Sequence, residues 1–216
     1  MEQARLKKII LLLAGCSLIS SAVLVYMFSL VTRQDMNNDV LRNDSFYQYQ
    51  DPIVLDAFSL SDHTGAMFDK NRLTGKWSLV FFGYTFCPDI CPLTMASIRQ
   101  FYQLLEMNGE AGDVQVVMIS VDPQRDTAEV MGNYVTYFNP EFIGVTGDYA
   151  DIFALSRQMN AAFSYTPIDA DNYLVTHNGE IMLIDPAGND VGFFKAPYEP
   201  ELMLENFRLA RRFSPF

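Results

Sequence analysis

Apolar and polar positions divide the 216-residue chain into three regimes. From Ile9 to Val31, 23 residues pass without a charge. A helix of that length covers roughly 35 Å, enough for a hydrocarbon core of about 30 Å, and predicts an N-terminal transmembrane helix. Residues 34–51 are polar, rich in Asn, Asp and Gln, and end at Asp51-Pro52, which reads as a tether. From Ile53 onward, short apolar strands alternate with amphipathic helices. The predicted organisation is a membrane anchor over 1–33, a linker over 34–52 and a folded domain over 53–216.

Within the domain, Ala57-Phe58-Ser59-Leu60-Ser61 alternates as an edge strand would. Asp62-His63-Thr64-Gly65 is a turn, and Ala66-Met67-Phe68 returns as a hairpin. Trp77 to Phe82 reads as a strand buried on both faces. Met95, Ile98, Tyr102 and Leu105 step by three, four and three, one face of a helix begun by Pro92 and closed by Asn108-Gly109. Val114 to Val121 is a second buried strand. Asp126 to Glu129 predicts an N-cap with a reciprocal acid, ahead of the stripe Val130, Met131, Tyr134, Val135 and Phe138. A short strand at Phe142–Val145 and a helix capped by Asp148 follow, then a loop over 160–172. Strands flank His177 at Tyr173-Leu174-Val175 and Ile181–Asp185. A turn at Pro186–Asn189 leads to Val191–Phe194. A last helix runs from Pro200 to Arg212, with Arg208, Arg211 and Arg212 near its negative end. This order predicts an α/β fold.

Charge sharpens the picture outside the apolar run. Arg5, Lys7 and Lys8 precede it, while Asp35 and Asp39 follow soon after Arg33. The positive-inside bias places the N-terminus in the cytoplasm and the domain outside, as in a single-pass protein of a bacterial inner membrane facing the periplasm. Leu13-Ala14-Gly15-Cys16 offers a competing reading, a lipid anchor at Cys16. Its apolar core of five residues is shorter than a signal region needs, so the uncleaved helix is preferred. Residues 1–33 hold four basic residues and one acidic, which leaves eleven basic and 25 acidic beyond them, a net charge of −14. That balance argues against nucleic acid as a partner and keeps the domain soluble in front of the membrane. His63 reads as a solvated turn residue.

The chemistry gathers at Cys87 and Cys91, two of only three cysteines, between a buried strand and a helix start. Backbone N–H groups there favour negative charge, and a thiolate is both a redox nucleophile and a soft metal ligand. Thioredoxin-like folds place paired cysteines at such a junction. The spacing is C-x-x-x-C rather than C-x-x-C, which lets both sulfurs point into one shallow cleft. Two thiolates suffice for Cu(I), and an imidazole would let the same site hold Cu(II). His177 is the candidate, 86 residues after Cys91, because loop ends of an α/β sheet converge at one edge. A structural zinc site usually wants four ligands, and no further Cys or His is placed to supply one. A structural disulfide and a redox-active pair remain alternatives for the cysteines. A peroxidase is a weaker one, since Pro-Thr-x-x-Cys is absent.

Gly83-Tyr84-Thr85-Phe86-Cys87-Pro88-Asp89-Ile90-Cys91-Pro92 resembles the signature of the Sco/SenC family. Ile119 to Thr127, Phe142 to Gly147, Tyr173 to His177 and Ile184 to Gly188 resemble its later blocks, in order, over about residues 53–210. The resemblance implies a thioredoxin-like fold with copper held by Cys87, Cys91 and His177. It further implies delivery of copper to the dinuclear copper centre of cytochrome c oxidase, or preparation of that centre's cysteines. The partners implied are a copper-accepting oxidase subunit, with a thioredoxin-like reductant or another copper chaperone upstream. If the pair cycled between dithiol and disulfide instead, the protein would be a thiol-disulfide oxidoreductase. Thr176 departs from the family, which often has an acid there, and Asn178-Gly179-Glu180 is more polar than usual.

Overall fold

The computed structural model describes residue 15 and residues 19–28, 42–43, 45–169 and 172–214. Residues 15 and 19–28 are helical, and the rest of the apolar run, Cys16 included, lies outside the described residues. Among the described residues, no helix is long and apolar enough to cross a membrane.

Arg42–Phe216 forms one unit. Its strands, in chain order, are β1 (Arg42–Asn43), β2 (Phe46–Val54), β3 (Ser59–Asp62), β4 (Met67–Asp69), β5 (Trp77–Gly83), β6 (Val114–Ser120), β7 (Ile143–Thr146), β8 (Phe163–Pro167), β9 (Tyr173–His177), β10 (Ile181–Ile184) and β11 (Asn189–Phe194). The helices are α1 (Ile90–Met107), α2 (Ala128–Phe138), α3 (Tyr149–Gln158) and α4 (Pro200–Phe213). One sheet has the order β1-β2-β11-β10-β5-β6-β7-β3-β4, while β8 and β9 form a separate two-stranded sheet. Strands β5, β6 and β7 are parallel, and β10, β11 and β2 add antiparallel to one side. The α/β expectation therefore holds for the domain.

Strands β5 and β6 are buried at every position, which is why both read as continuous apolar runs. Helix α1 buries the expected stripe of Met95, Ile98, Tyr102 and Leu105, and adds Phe101. The Phe101 ring meets Phe194 of β11 and Phe207 of α4, and Phe207 in turn meets Trp77 at the start of β5. One aromatic cluster thus seats both helices on the sheet. Arg208 and Arg211 of α4 also reach back to Glu110 and Asp113, just before β6, with N···O distances of 2.5 and 2.7 Å.

Several local predictions are corrected. The polar run read as a tether becomes strand β2 at Phe46, which is fully buried and packs on Phe194 at a centroid distance of 4.7 Å. Its apolar alternation is masked because Gln48 takes a half-buried position while Tyr47 is exposed. Strand β3 is not an edge, since it lies between β7 and β4. The loop expected over 160–172 contains β8. Thr127, not Asp126, caps α2, accepting from the Val130 N–H at 3.3 Å. Asp148 occupies the N-cap of α3 without a side-chain capping bond. His63 is half-buried rather than solvated: its Nδ1 accepts from the Gly144 N–H at 3.1 Å, tying the β3–β4 turn to β7.

At the bulge of β11, Gly192 brings its Cα so close to β2 that a Cβ would lie 2.2 Å from the Tyr47 carbonyl oxygen. The neighbouring Asp190 is fully buried. Its Oδ1 accepts from the Gly192 N–H at 3.1 Å, and its Oδ2 has no hydrogen-bond partner among the described residues. Burial raises its pKa to about 8. Folding therefore takes up a proton between the ordinary carboxylate range and pH 8. The stability tied to this group is full below about pH 4 and falls as pH rises toward 8. Between pH 5 and pH 7 the domain is expected to lose about 2 kcal/mol more stability than an Asp190→Asn variant. Urea unfolding at the two pH values measures this, and equal losses would count against it.

Candidate metal centre

Strand β5 ends at Gly83, and six residues separate it from α1. The Cys87 N–H donates to the Tyr84 carbonyl at 3.3 Å, folding this loop back on itself. Helix α1 opens without a side-chain cap from Asp89. The first-turn N–H of Cys91 instead donates to Cys87 Sγ at 3.4 Å, so the sulfur takes the place of a capping oxygen. Both cysteines are free thiols; Cys87 is half-buried and Cys91 is 0% exposed. Gly83 makes that burial feasible, because a Cβ there would lie 3.2 Å from Cys91 Sγ and 2.7 Å from the Phe81 ring.

His177 is the last residue of β9, paired with Phe163. Its Nδ1–H donates to the Asn178 carbonyl at 2.7 Å, which leaves the lone pair on Nε2. That lone pair faces Cys91 Sγ at 3.2 Å, where it accepts the thiol proton. Edge-on contacts from Phe81 and Tyr84, at 5.8 and 5.9 Å between ring centroids, enclose the imidazole. The two sulfurs and a ring nitrogen of His177 all lie within 4.8 Å of one another. The structure thus brings together the three residues singled out in the sequence. Among the described residues, no fourth Cys, His, Asp or Glu joins them. Thr176, by contrast, is exposed and faces Ser164 across the hairpin.

Burial pushes the Cys91 thiol well above its ordinary range, and the neighbouring Cys87 adds to this. Burial also lowers the His177 pKa, so its imidazole is neutral at pH 7. An apolar enclosure holding two sulfurs and a neutral imidazole disfavours bare charge and favours a cation that replaces the thiol protons. Two soft sulfurs with one nitrogen suit Cu(I), and the nitrogen extends the set to Cu(II).

Sequence reasoning missed the residues that brace this site. Asp126 is fully buried; its carboxylate accepts from the Thr85 N–H at 3.1 Å, Thr85 Oγ1 at 2.5 Å and Ser120 Oγ at 2.6 Å. It therefore anchors the cysteine loop to the end of β6. Burial raises its pKa against the pull of those three donors. Asp122, also fully buried, pairs with Arg125. The available signal was topological: parallel neighbours end at one edge, so charged residues just after β6 fall beside residues just after β5.

The SCO1/SenC family model matches residues 47–210. Over 152 residues the chain is 36% identical to the mitochondrial SCO2 homolog of Bos taurus, covering 70% of this chain and 57% of that protein. The chain thus spans little more than half the length of that relative. The copper-bound ScoI of Arabidopsis thaliana superposes with a TM-score of 0.68 at 31% identity, covering 73% of this chain and 98% of that one. The copper-bound ScoI of Bradyrhizobium japonicum gives 0.65 at 34% identity, covering 72% and 97%.

The contrast in exposure between the two cysteines predicts unequal reactivity. In the reduced, metal-free protein, iodoacetamide is expected to modify Cys87 roughly tenfold faster than Cys91. Fragment-ion mass spectrometry against time reads the two rates, and equal rates would mean Cys91 is not sequestered.

Proposed function

Since this chain belongs to the SCO1/SenC family, we propose that it is a copper-binding protein of cytochrome c oxidase assembly. One observation carries the reading: two sulfurs and an imidazole nitrogen, drawn from segments 86 residues apart, converge within 4.8 Å. A structural disulfide would have no use for His177 at that place. Copper bound in ScoI of two other organisms supports the same assignment. The bound ion would be cargo. Cys87, the more exposed cysteine, would be the first to yield to an incoming thiolate of the acceptor, and Cys91 and His177 would follow. The acceptor proposed is an oxidase subunit with its own cysteines. A thioredoxin-like reductant or another copper chaperone would act upstream.

The proposed setting is the periplasmic face of a bacterial inner membrane. Residues 1–33 would be a single-pass anchor with the N-terminus in the cytoplasm, followed by a short linker. The uninterrupted apolar run and the basic residues ahead of it support this. Lipidation at Cys16 is the alternative form of anchoring.

A second reading is favoured by the two free cysteines standing together, with the Cys91 N–H donated to Cys87 Sγ. The pair could then reduce a partner disulfide, losing two electrons and two protons as Cys87 and Cys91 join. That chemistry does not need His177. The two readings separate in a copper titration.

The reduced domain is expected to bind one equivalent of Cu(I) under anaerobic conditions. A Cys87→Ser, Cys91→Ser double variant should bind none, and His177→Ala should weaken Cu(II) more than Cu(I). Undiminished copper affinity in the double variant would overturn the proposal. If His177→Ala removes biological activity while leaving the dithiol's reduction potential unchanged, pure redox chemistry is excluded.

A further inference from the structure

Among the described residues, the hairpin that presents His177 shares no ladder with the nine-stranded sheet. Besides the three-residue link from His177 to β10, side-chain contacts hold the imidazole against the sulfurs. Beyond His177, the Tyr198 hydroxyl donates to the Gly179 carbonyl. On the approach to His177, Phe163 packs against Tyr149 and Phe153 of α3, while a second set of contacts reaches the short segment after β6. The Tyr165 hydroxyl donates to the Val121 carbonyl at 2.5 Å, and the Tyr173 hydroxyl donates to Asp122 Oδ1 at 2.5 Å.

Arg125 sits at the middle of this junction. Its Nε donates to the buried Asp122 carboxylate, and its Nη1 donates to the Tyr173 carbonyl at 3.5 Å. The guanidinium carbon lies 4.1 Å from the Tyr173 ring centroid, 5.3 Å from that of Phe86 and 5.8 Å from that of Tyr84. Tyr84 and Phe86 belong to the loop that carries Cys87, and Tyr173 belongs to the strand that carries His177. One planar cation thus touches both ligand-bearing segments while fixed to a buried acid. A lysine would keep the charge but lose the planar stack and the fork of donors.

Building on the proposed copper site, we propose that Arg125, seated on Asp122, is a positioning residue that sets His177 against the cysteine pair. It would not touch the metal. It would decide how much of the time the imidazole is within reach of it.

The test compares the wild type, Arg125→Lys, His177→Ala and the double variant. Arg125→Ala is avoided as the main probe, because an unpaired buried Asp122 could unfold the domain. Without metal, hydrogen exchange of the β8–β9 amides should quicken in Arg125→Lys while the β5–β6 amides stay as slow as in the wild type. With Cu(II), Arg125→Lys should bind roughly tenfold more weakly and lose nitrogen hyperfine structure in its electron paramagnetic resonance spectrum. In the His177→Ala background the same change should cost nothing further. Unchanged exchange and an unchanged nitrogen signature in Arg125→Lys would overturn the inference, as would losses that simply add to those of His177→Ala. Failure of the wild type to bind copper would overturn the functional proposal instead, and the metal-free exchange would still decide the role of Arg125.

Discussion

The level ending of two parallel strands governs this molecule. Strands β5 and β6 stay in register from Trp77 opposite Val114 to Gly83 opposite Ser120, and the Val121 N–H donates to the Gly83 carbonyl at 2.8 Å. Because neither strand overshoots the other, the loops that follow emerge side by side at one sheet edge. One loop carries Cys87 and leads to Cys91. The other carries Asp122, Arg125 and Asp126. Asp126 binds the first loop through Thr85, and the Asp122–Arg125 pair receives the hairpin of His177. A slip of one residue would turn the inward side chains outward and separate all of these partners.

The parts of the fold legible in the sequence were those with strong periodicity. Strands β5 and β6 are buried on both faces and could not be disguised, and α1 displays its stripe without interruption. The cysteine pair stood out by scarcity and position. Strand β2 was hidden because Tyr47-Gln48-Tyr49-Gln50 carries little apolar weight, and only its ladder to β11 makes it a strand. Strand β8 was hidden by Pro167 and the aspartates after it; its tyrosine finds a partner 44 residues away, at Val121. His177 could be nominated from the sequence, but its tautomer and its approach to Cys91 depend on the hairpin. Asp126 was misread for a local reason. An acid one residue before Thr127 resembles a cap, whereas tertiary contact takes its carboxylate inward.

Acidic character has two separate roles here. Most of the negative charge lies on the surface. Asp122, Asp126 and Asp190 are inside the protein, each fully buried. Asp122 has a cation, Asp126 has three neutral donors, and Asp190 has one backbone N–H. Burial raises the pKa of both Asp126 and Asp190, and Asp190, with the fewest donors, reaches about 8. At Asp126 three donors work against the effect of burial, and at Asp190 a single backbone N–H does. The two nearest the candidate site are also the two that link separate segments of chain.

Gly83 acts as a depth gauge for the site. With no Cβ on the strand beneath it, the Cys91 sulfur sinks until water no longer reaches it, while Cys87 stays at the rim. A single methyl group on residue 83 would occupy the floor, 3.2 Å from that sulfur, and lift it toward its neighbour. The difference in depth between the two thiols would narrow, and with it the margin that sets the order in which they meet an outside reagent.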